Sequence, residues 1–216
     1  MPTAATNDLI EGLVTDLTPA RRSAVFGRLS LGAGAGALVA IAATALWLGP
    51  RPDLAVAAAL PSFWIKAAYT LVAAVAGLLA VERLSRPGGR AAAGTRLAAL
   101  AFLAVVVLAA GQMAAGMEDG RPMFLGRSAE YCPFAIFALA LPVLAGTVWA
   151  MRGLGPTRPV AAGLGAGLFA GAVASFVYSF SCAERSIPFL ASWYTLGIVL
   201  AGLAGLAAGR AGLLRW

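Results

Sequence analysis

Six long apolar stretches constrain the fold of this 216-residue chain more than any other feature. Each is nearly free of charge and long enough for the roughly 20 helical residues that cross the hydrocarbon core of a membrane. They cover residues 29–48, 63–81, 97–117, 132–151, 160–180 and 189–208. They lack the alternation of barrel strands, and lipid offers no partner for an open backbone. The expected fold is all-α, a polytopic membrane protein with six transmembrane helices.

The sixteen basic residues predict how these helices are oriented. Eleven fall on one side of the predicted helices and five on the other, and short loops rich in Lys and Arg stay in the cytoplasm. The eleven are Arg21, Arg22, Arg28, Arg83, Arg86, Arg90, Arg96, Arg152, Arg158, Arg210 and Arg215, and the five are Arg51, Lys66, Arg121, Arg127 and Arg185. Both termini are therefore expected in the cytoplasm.

This orientation divides the chain into three parts. Residues 1–28 form a cytoplasmic N-terminal segment, residues 29–208 the six-helix bundle, and residues 209–216 a short cytoplasmic tail. Ala and Gly are abundant, and every basic residue except Lys66 is an arginine. This composition indicates a bacterium with a GC-rich genome. We therefore expect a multi-pass protein of the bacterial inner membrane, in contact with the lipid bilayer, whose outer loops face the periplasm.

The N-terminal segment differs in character from the bundle. Between residues 7 and 22 the apolar positions recur at helical spacing, while the acidic side chains point in other directions, so the pattern predicts a short amphipathic helix. The apolar positions are Leu9, Ile10, Leu13, Val14 and Leu17. A helix this short needs a surface to fold against. Its acidic character does not suit an anionic leaflet, which favours docking to a basic cytoplasmic protein over lying on the membrane.

Glycines recur at three- or four-residue spacing in three of the predicted membrane helices. They are Gly32 and Gly36, then Gly163, Gly167 and Gly171, then Gly202, Gly205 and Gly209. Small residues at this spacing let two helix backbones approach closely. We interpret them as packing residues.

Cys132 and Cys182 are the only cysteines of the chain, and the predicted topology puts both at the outer edge of the bundle. Three interpretations follow: a pair of sensor thiols, a permanent structural disulfide favoured by an oxidising compartment, or a transient site for a soft metal ion. The nearby charges act in opposite directions, because Glu130 and Glu184 favour the thiol whereas Arg127 and Arg185 favour the thiolate.

Composition also argues against several classes of function. There is no histidine, so the commonest general base and metal ligand is missing, and two thiols alone make an incomplete zinc site. We expect no enzyme activity, no cofactor and no direct contact with nucleic acid. Lys66 is expected to snorkel to the interface, and Trp193 and Tyr194 are interpreted as interfacial anchors. Arg51 and Asp53 are interpreted as a simple loop pair.

Short motifs along nearly the whole chain give it a resemblance to a known family. They are Leu9-Ile10, Leu17-Thr18-Pro19 with Arg21-Arg22, Arg51-Pro52-Asp53-Leu54, Phe63-Trp64-Ile65-Lys66, Leu84-Ser85-Arg86-Pro87-Gly88, Cys132, Gly155-Pro156-Thr157-Arg158-Pro159 with Gly163, Cys182-Ala183-Glu184-Arg185-Ser186, Trp193-Tyr194 and Leu213-Leu214-Arg215-Trp216. In these motifs the chain resembles the NrsF family of bacterial membrane anti-sigma factors, which hold an extracytoplasmic-function (ECF) sigma factor at the inner membrane. The resemblance implies that the N-terminal segment binds the sigma factor, and that the two outward cysteines sense heavy-metal or oxidative stress.

Two other functions remain open at this point. One is a membrane thiol oxidoreductase, although such proteins usually carry a close pair such as C-x-x-C, which this chain lacks. The other is a small transporter or assembly subunit with a structural disulfide. Neither accounts for the acidic amphipathic N-terminal segment.

Overall fold

The computed structural model describes residues 4–15, 24–116 and 124–214, and within these residues it is helical, without strands. The helices are α1 (Ala4–Thr15), α2 (Ala24–Leu48), α3 (Leu54–Ala57), α4 (Pro61–Leu84), α5 (Ala92–Ala115), α6 (Cys132–Met151), α7 (Pro159–Tyr178) and α8 (Ile187–Arg210). Six of them, α2 and α4 to α8, are long and apolar enough to cross a membrane. The predicted all-α fold with six spans is confirmed.

Several of the spans extend beyond the predicted apolar stretches. Helix α2 begins at Ala24 rather than at residue 29, and Arg28 lies within it, with its guanidinium 5.5 Å from the centre of the Trp149 ring. A long basic side chain can place its apolar stem along a helix and its charge at the interface, so a charge does not end a membrane helix. An apolar run therefore underestimates the length of such a helix.

Close glycine contacts hold the bundle together. Along α7 and α8, a Cβ atom at Gly163 would collide with the backbone of Gly205, and one at Gly167 would collide with that of Ala201. Helices α2 and α6 approach in the same way where Gly32 faces Gly146. Because the backbones themselves are in contact, a larger side chain at these positions would push the helices apart. The interpretation of these glycines as packing residues is confirmed.

The spans alternate in direction and so give the bundle two ends. The cysteine end comprises residues 49–60, 124–131 and 179–186, and the arginine end comprises residues 85–91, 152–158 and 211–214. Helix α2 begins at the arginine end, so α1 precedes the bundle on that side. The assignment of the arginine end to the cytoplasm remains a prediction.

Helix α1 forms in the predicted N-terminal segment but begins at Ala4, earlier than residue 7. Its described side chains, residues 6–15, are all exposed. Four of the five predicted anchors are among them, with 51–63% of their surface exposed: Leu9, Ile10, Leu13 and Val14. Leu17, the fifth, lies outside the described residues.

Candidate functional site

The fold brings Cys132 and Cys182 together at the cysteine end. Cys132 is the first residue of α6, where its backbone N–H donates to the Ser128 carbonyl at 2.9 Å. Cys182 follows α7, and its N–H donates to the Tyr178 carbonyl at 3.0 Å. Both are free cysteines, they lie beside each other, and their exposed fractions are 0% and 5%. A buried thiol pair is therefore the centre of the candidate site.

Lys66 of α4 is buried beside the thiols. Its ammonium donates to the carbonyl of Cys182 at 3.2 Å and to that of Glu184 at 2.7 Å, and it lies 5.4 Å from the centre of the Tyr194 ring. Only 3% of the residue is exposed, so the expectation that it snorkels to the interface is wrong. The two backbone carbonyls take the place of water around the charge, which makes burial of the ammonium tolerable.

Arg51 is a second buried cation, and like Lys66 it contacts the 179–186 loop. Its guanidinium binds both carboxylate oxygens of Asp53, at 2.7 and 2.8 Å, and donates from Nη1 to the Cys182 carbonyl at 3.3 Å. This hydrogen-bonded pair raises the pKa of Arg51 and lowers that of Asp53, because each charge stabilises the other. The predicted loop pair is thus present, and it also reaches the cysteine site.

Glu184 joins the chain segments that carry the two cysteines. One of its carboxylate oxygens accepts from the backbone N–H of Arg127 at 2.5 Å and from the Ser128 hydroxyl at 3.3 Å. The Cys182 loop is thereby attached to the turn that leads into Cys132. The carboxylate of Glu184 is held by these donors, so it acts mainly as a tether between the two loops.

Two tyrosines complete the surroundings of the thiols. The rings of Tyr178 and Tyr194 lie 5.8 Å apart between centres, and both residues are buried. The Tyr194 hydroxyl lies close to Cys182 and has no hydrogen-bond partner within the described residues. The interpretation of Tyr194 as an interfacial anchor is therefore wrong. Its neighbour Trp193 donates from the indole N–H to the Phe124 carbonyl at 2.8 Å.

The electrostatic environment favours a thiolate at Cys182. The hydrogen bond from Cys132 lowers the pKa of the Cys182 thiol; burial opposes this effect, and the nearby Lys66 ammonium adds to it. A thiolate beside a thiol is the reactive form for disulfide formation and for soft-metal binding. The sequence did not identify Lys66 and Tyr194 as members of this site. The contacts of the site join three elements that are separate in the chain: α4, the 179–186 loop and α8.

The two thiols are the reactive groups of the site. Within the described residues, no group of three or more His, Cys, Asp or Glu side chains could hold a metal ion, so a tetrahedral zinc site is not formed there. Two sulfurs can accept a soft ion that tolerates low coordination. They can also close a disulfide by giving up two electrons to an oxidant and releasing the proton of the Cys132 thiol.

The fold and the thiol pair define a polytopic, six-helix membrane protein with a buried dithiol at one end. Residues 13–216 match the family model NrsF, described as Negative regulator of sigma F. The chain is 43% identical to the Anti-sigma-F factor NrsF of Caulobacter vibrioides and 37% identical to the Probable anti-sigma-F factor NrsF of Azospira oryzae. Each alignment spans 213 residues, 98% of this chain and 99% of the relative. No solved structure matches the chain.

The chain belongs to the NrsF family. The resemblance found in the short motifs is confirmed over nearly the whole length. The names of the relatives describe regulators, so the family is non-enzymatic, in agreement with the prediction from composition.

Proposed function

We propose that this protein is an anti-sigma factor of the bacterial inner membrane. It holds an ECF sigma factor against its N-terminal segment, with both termini in the cytoplasm, and releases it when Cys132 and Cys182 react with an oxidant or a heavy-metal ion. Family membership supports the anti-sigma part. The observation that carries the sensing part is the buried pair of neighbouring thiols, with Lys66 and Arg51 bound to the Cys182 carbonyl.

Helix α1 supports the proposed docking to the sigma factor. Leu9, Ile10, Leu13 and Val14 form one apolar face, while Asp8 and Glu11 point away from it. Outside a membrane, such a face is stabilised by burial against a partner. A helix laid in a groove with apolar anchors at this spacing is a common recognition mode, and the acidic opposite face suits a basic partner. Leu17 extends the same series in the sequence.

The separation of the two sites supports an ECF partner. The thiol pair lies at the cysteine end, whereas α1 precedes α2, which begins at the arginine end. A protein built in this way can receive a signal on one side of a membrane and act on a cytoplasmic partner on the other. An ECF sigma factor is the class of partner that uses such a signal.

The thiol chemistry gives two ways to change the site. An oxidant can remove two electrons, so that an S–S bond forms between the Cys182 thiolate and the Cys132 sulfur, and the Cys132 thiol releases its proton. A soft metal ion can instead bind both sulfurs and displace the same proton. Either event changes the contact between the two sulfurs and the position of the Cys182 loop, which Lys66, Arg51 and Glu184 attach to neighbouring segments.

The packing offers a route from the thiols to α1. Cys132 begins α6, and α6 is in backbone contact with α2 where Gly32 faces Gly146 and Gly36 faces Pro142. Helix α2 follows α1 in the chain. A change in the relation of α6 and α7 at the thiols can therefore move α2 at the arginine end. A tenfold change in affinity for the sigma factor requires only about 1.4 kcal/mol of differential stability.

The test follows thiol state and sigma release in the same cells. Cells expressing the full chain with its sigma factor are exposed to cadmium or to diamide, free thiols are alkylated, and the sigma factor that co-purifies with the membrane is measured. We expect free thiols and bound sigma factor at rest, with blocked thiols and released sigma factor after exposure. The Cys132→Ser/Cys182→Ser variant should retain the sigma factor under both conditions.

Two results would contradict the proposal in different ways. A disulfide that is complete at rest and unchanged by either reagent would make the pair a structural link. Failure of any sigma factor to co-purify from unstressed cells, with the protein properly inserted, would contradict the anti-sigma role itself.

A further inference from the structure

A groove between α4, α5, α7 and α8 lies apart from the cysteine site. It encloses about 420 Å³ and is open to the outside of the bundle on one part of its surface. Helix α5 forms one wall with Ala98 and Phe102, and α7 forms another with Leu164 and Leu168. The volume lies within the range of about 300–1,000 Å³ that is usual for ligand sites.

The groove lies beside α5, the membrane span with the smallest buried share. Its buried residues are Gly94, Val105 and Ala109. Near its beginning, Gly94 lies against the backbone of Ala76 on α4. Near its other end, the Gln112 side chain accepts from the Ile187 N–H at 2.7 Å. Most of the remaining α5 surface is exposed, so an acyl chain can reach the groove beside it.

The two ends of the groove differ in polarity. Towards the cysteine end, the hydroxyls of Tyr69 and Thr195 are hydrogen-bonded to each other at 2.8 Å, so each already has a partner. At the arginine end the lining includes Arg90 and Arg158, whose side chains are exposed and have no hydrogen bond or ion pair with the described residues. The long middle section is apolar. This is the pattern of an anionic head group followed by a hydrocarbon chain.

The two arginines stand on neighbouring loops that are connected to each other. The backbone N–H of Gly88 donates to the Thr157 hydroxyl at 3.3 Å, which ties the loop before Arg90 to the loop that carries Arg158. Paired guanidinium groups suit a phosphate, because each can offer two N–H donors to its oxygens. Basic pockets between membrane helices are a known form of site for anionic lipid.

We propose that this groove binds an anionic phospholipid, with the phosphate on Arg90 and Arg158 and one acyl chain between α5 and α7. Charge complementarity at the rim, the apolar walls and the opening towards the bilayer all favour this occupant. The bound chain fills the space between α5 and the remaining helices, so the lipid acts as a structural part of the bundle. The proposal is independent of the function proposed for the thiols.

The test measures lipid retained by the full-length protein in mild detergent. The protein is mixed with phosphatidylglycerol and phosphatidylcholine of identical acyl chains, washed, and examined by native mass spectrometry. We expect the wild-type chain to retain phosphatidylglycerol in preference to phosphatidylcholine. Arg90→Gln/Arg158→Gln should reduce this retention at least tenfold, whereas the control Arg83→Gln/Arg96→Gln, which removes two exposed arginines outside the groove, should not.

A second pair of variants tests the acyl-chain part of the site. Ala98→Phe fills the groove and should displace the lipid, while Ala99→Phe places the same ring on a neighbouring exposed position outside the lining. If the arginine variants do not give monodisperse protein, the comparison of Ala98→Phe with Ala99→Phe still tests whether the groove binds lipid. Equal retention by Ala98→Phe and Ala99→Phe would overturn the proposal. Retention of a neutral molecule such as a quinone, insensitive to the arginines, would overturn it as well.

Discussion

The cysteine end and the N-terminal helix differ in almost every structural respect. At the cysteine end the functional side chains are buried and held from several elements, as Lys66 is by the carbonyls of Cys182 and Glu184. Helix α1 has the opposite character, since its described side chains are all exposed. The side chains of the cysteine end are buried by the fold of the chain itself. The apolar face of α1 is exposed and is available to a partner.

This difference suits the proposed function. A site that receives a chemical signal works best when it is preorganised and shielded, so that only small reagents reach it. A site that holds and releases a partner works best with few internal contacts, because each of them would compete with the partner. Variants at the two regions should therefore have separable effects, and the following predictions are arranged from the largest to the smallest.

Truncating the apolar face of α1 should abolish binding of the sigma factor. Ile10→Ala/Leu13→Ala/Val14→Ala removes three anchors, which costs about 3 kcal/mol or more if they are buried in the complex, or roughly 100-fold in affinity. Titration of the purified full chain with its sigma factor measures this. Thr15→Ala, on the opposite face, is the control and should bind normally. Equal affinities of the two variants for the sigma factor would show that the apolar face of α1 is not part of the interface.

Removing the buried ammonium should weaken the bundle without touching α1. In Lys66→Met the Glu184 carbonyl loses its ammonium donor, and an unsatisfied buried acceptor costs about 1–3 kcal/mol. We expect the melting temperature in detergent to fall by several degrees, by the relation of about 2–4 °C per kcal/mol for domains of this size. Arg127→Met removes an exposed cation at the same end and should melt like the wild type. An unchanged melting temperature for Lys66→Met would show that the buried hydrogen bonds are dispensable.

Releasing the tether between the two cysteine loops should make the thiols more accessible. Glu184→Ala removes the acceptor for the Arg127 N–H and the Ser128 hydroxyl, and we expect alkylation by a bulky maleimide to become roughly tenfold faster, equivalent to about 1.4 kcal/mol. Glu184→Gln retains an oxygen acceptor at the same position and separates loss of the tether from loss of charge. Identical rates for the Ala and Gln variants would assign the effect to charge alone.

The Arg51–Asp53 pair should give the smallest effect, visible in the pH dependence of stability. Arg51 lowers the pKa of Asp53 in the folded protein, so the contribution of the pair is present above the ordinary pKa of an aspartate and is lost as the pH falls towards the lowered value. Melting at pH 7 and at about pH 2.5, which is below the ordinary aspartate pKa of about 3.9, compares the wild type with Asp53→Asn. The variant should be slightly less stable at pH 7, and the difference should shrink at the lower pH. A difference that grew on acidification would contradict this linkage.

Much of the fold can be predicted from the sequence because its causes are local. Continuous apolarity over the length of a membrane is sufficient to predict a spanning helix, and glycines at four-residue spacing predict close packing. The ends of the helices were less accurate, as at Arg28, because an amphipathic side chain can continue a helix beyond the apolar run. The amphipathic face of α1 was also predicted from spacing alone, apart from its first residues.

The surroundings of the thiols required the tertiary structure. Composition and the order of basic residues placed both cysteines at one edge of the bundle, and sequence neighbours suggested Glu130, Glu184, Arg127 and Arg185 as the relevant charges. The buried cations that the fold brings to the Cys182 carbonyl are instead Lys66, 116 positions away in the chain, and Arg51, 131 positions away.

The sequence by itself determined the six spans, the packing glycines and the apolar face of α1, because these depend on residues close together in the chain. Only the tertiary structure decided that Lys66 is buried, that Tyr194 lies beside the thiols and that α5 leaves an open groove. These features arise where helices distant in sequence meet. The free energy of each feature depends on which protein groups replace water around the buried side chain. The spacing of residues in the sequence does not show which groups these are.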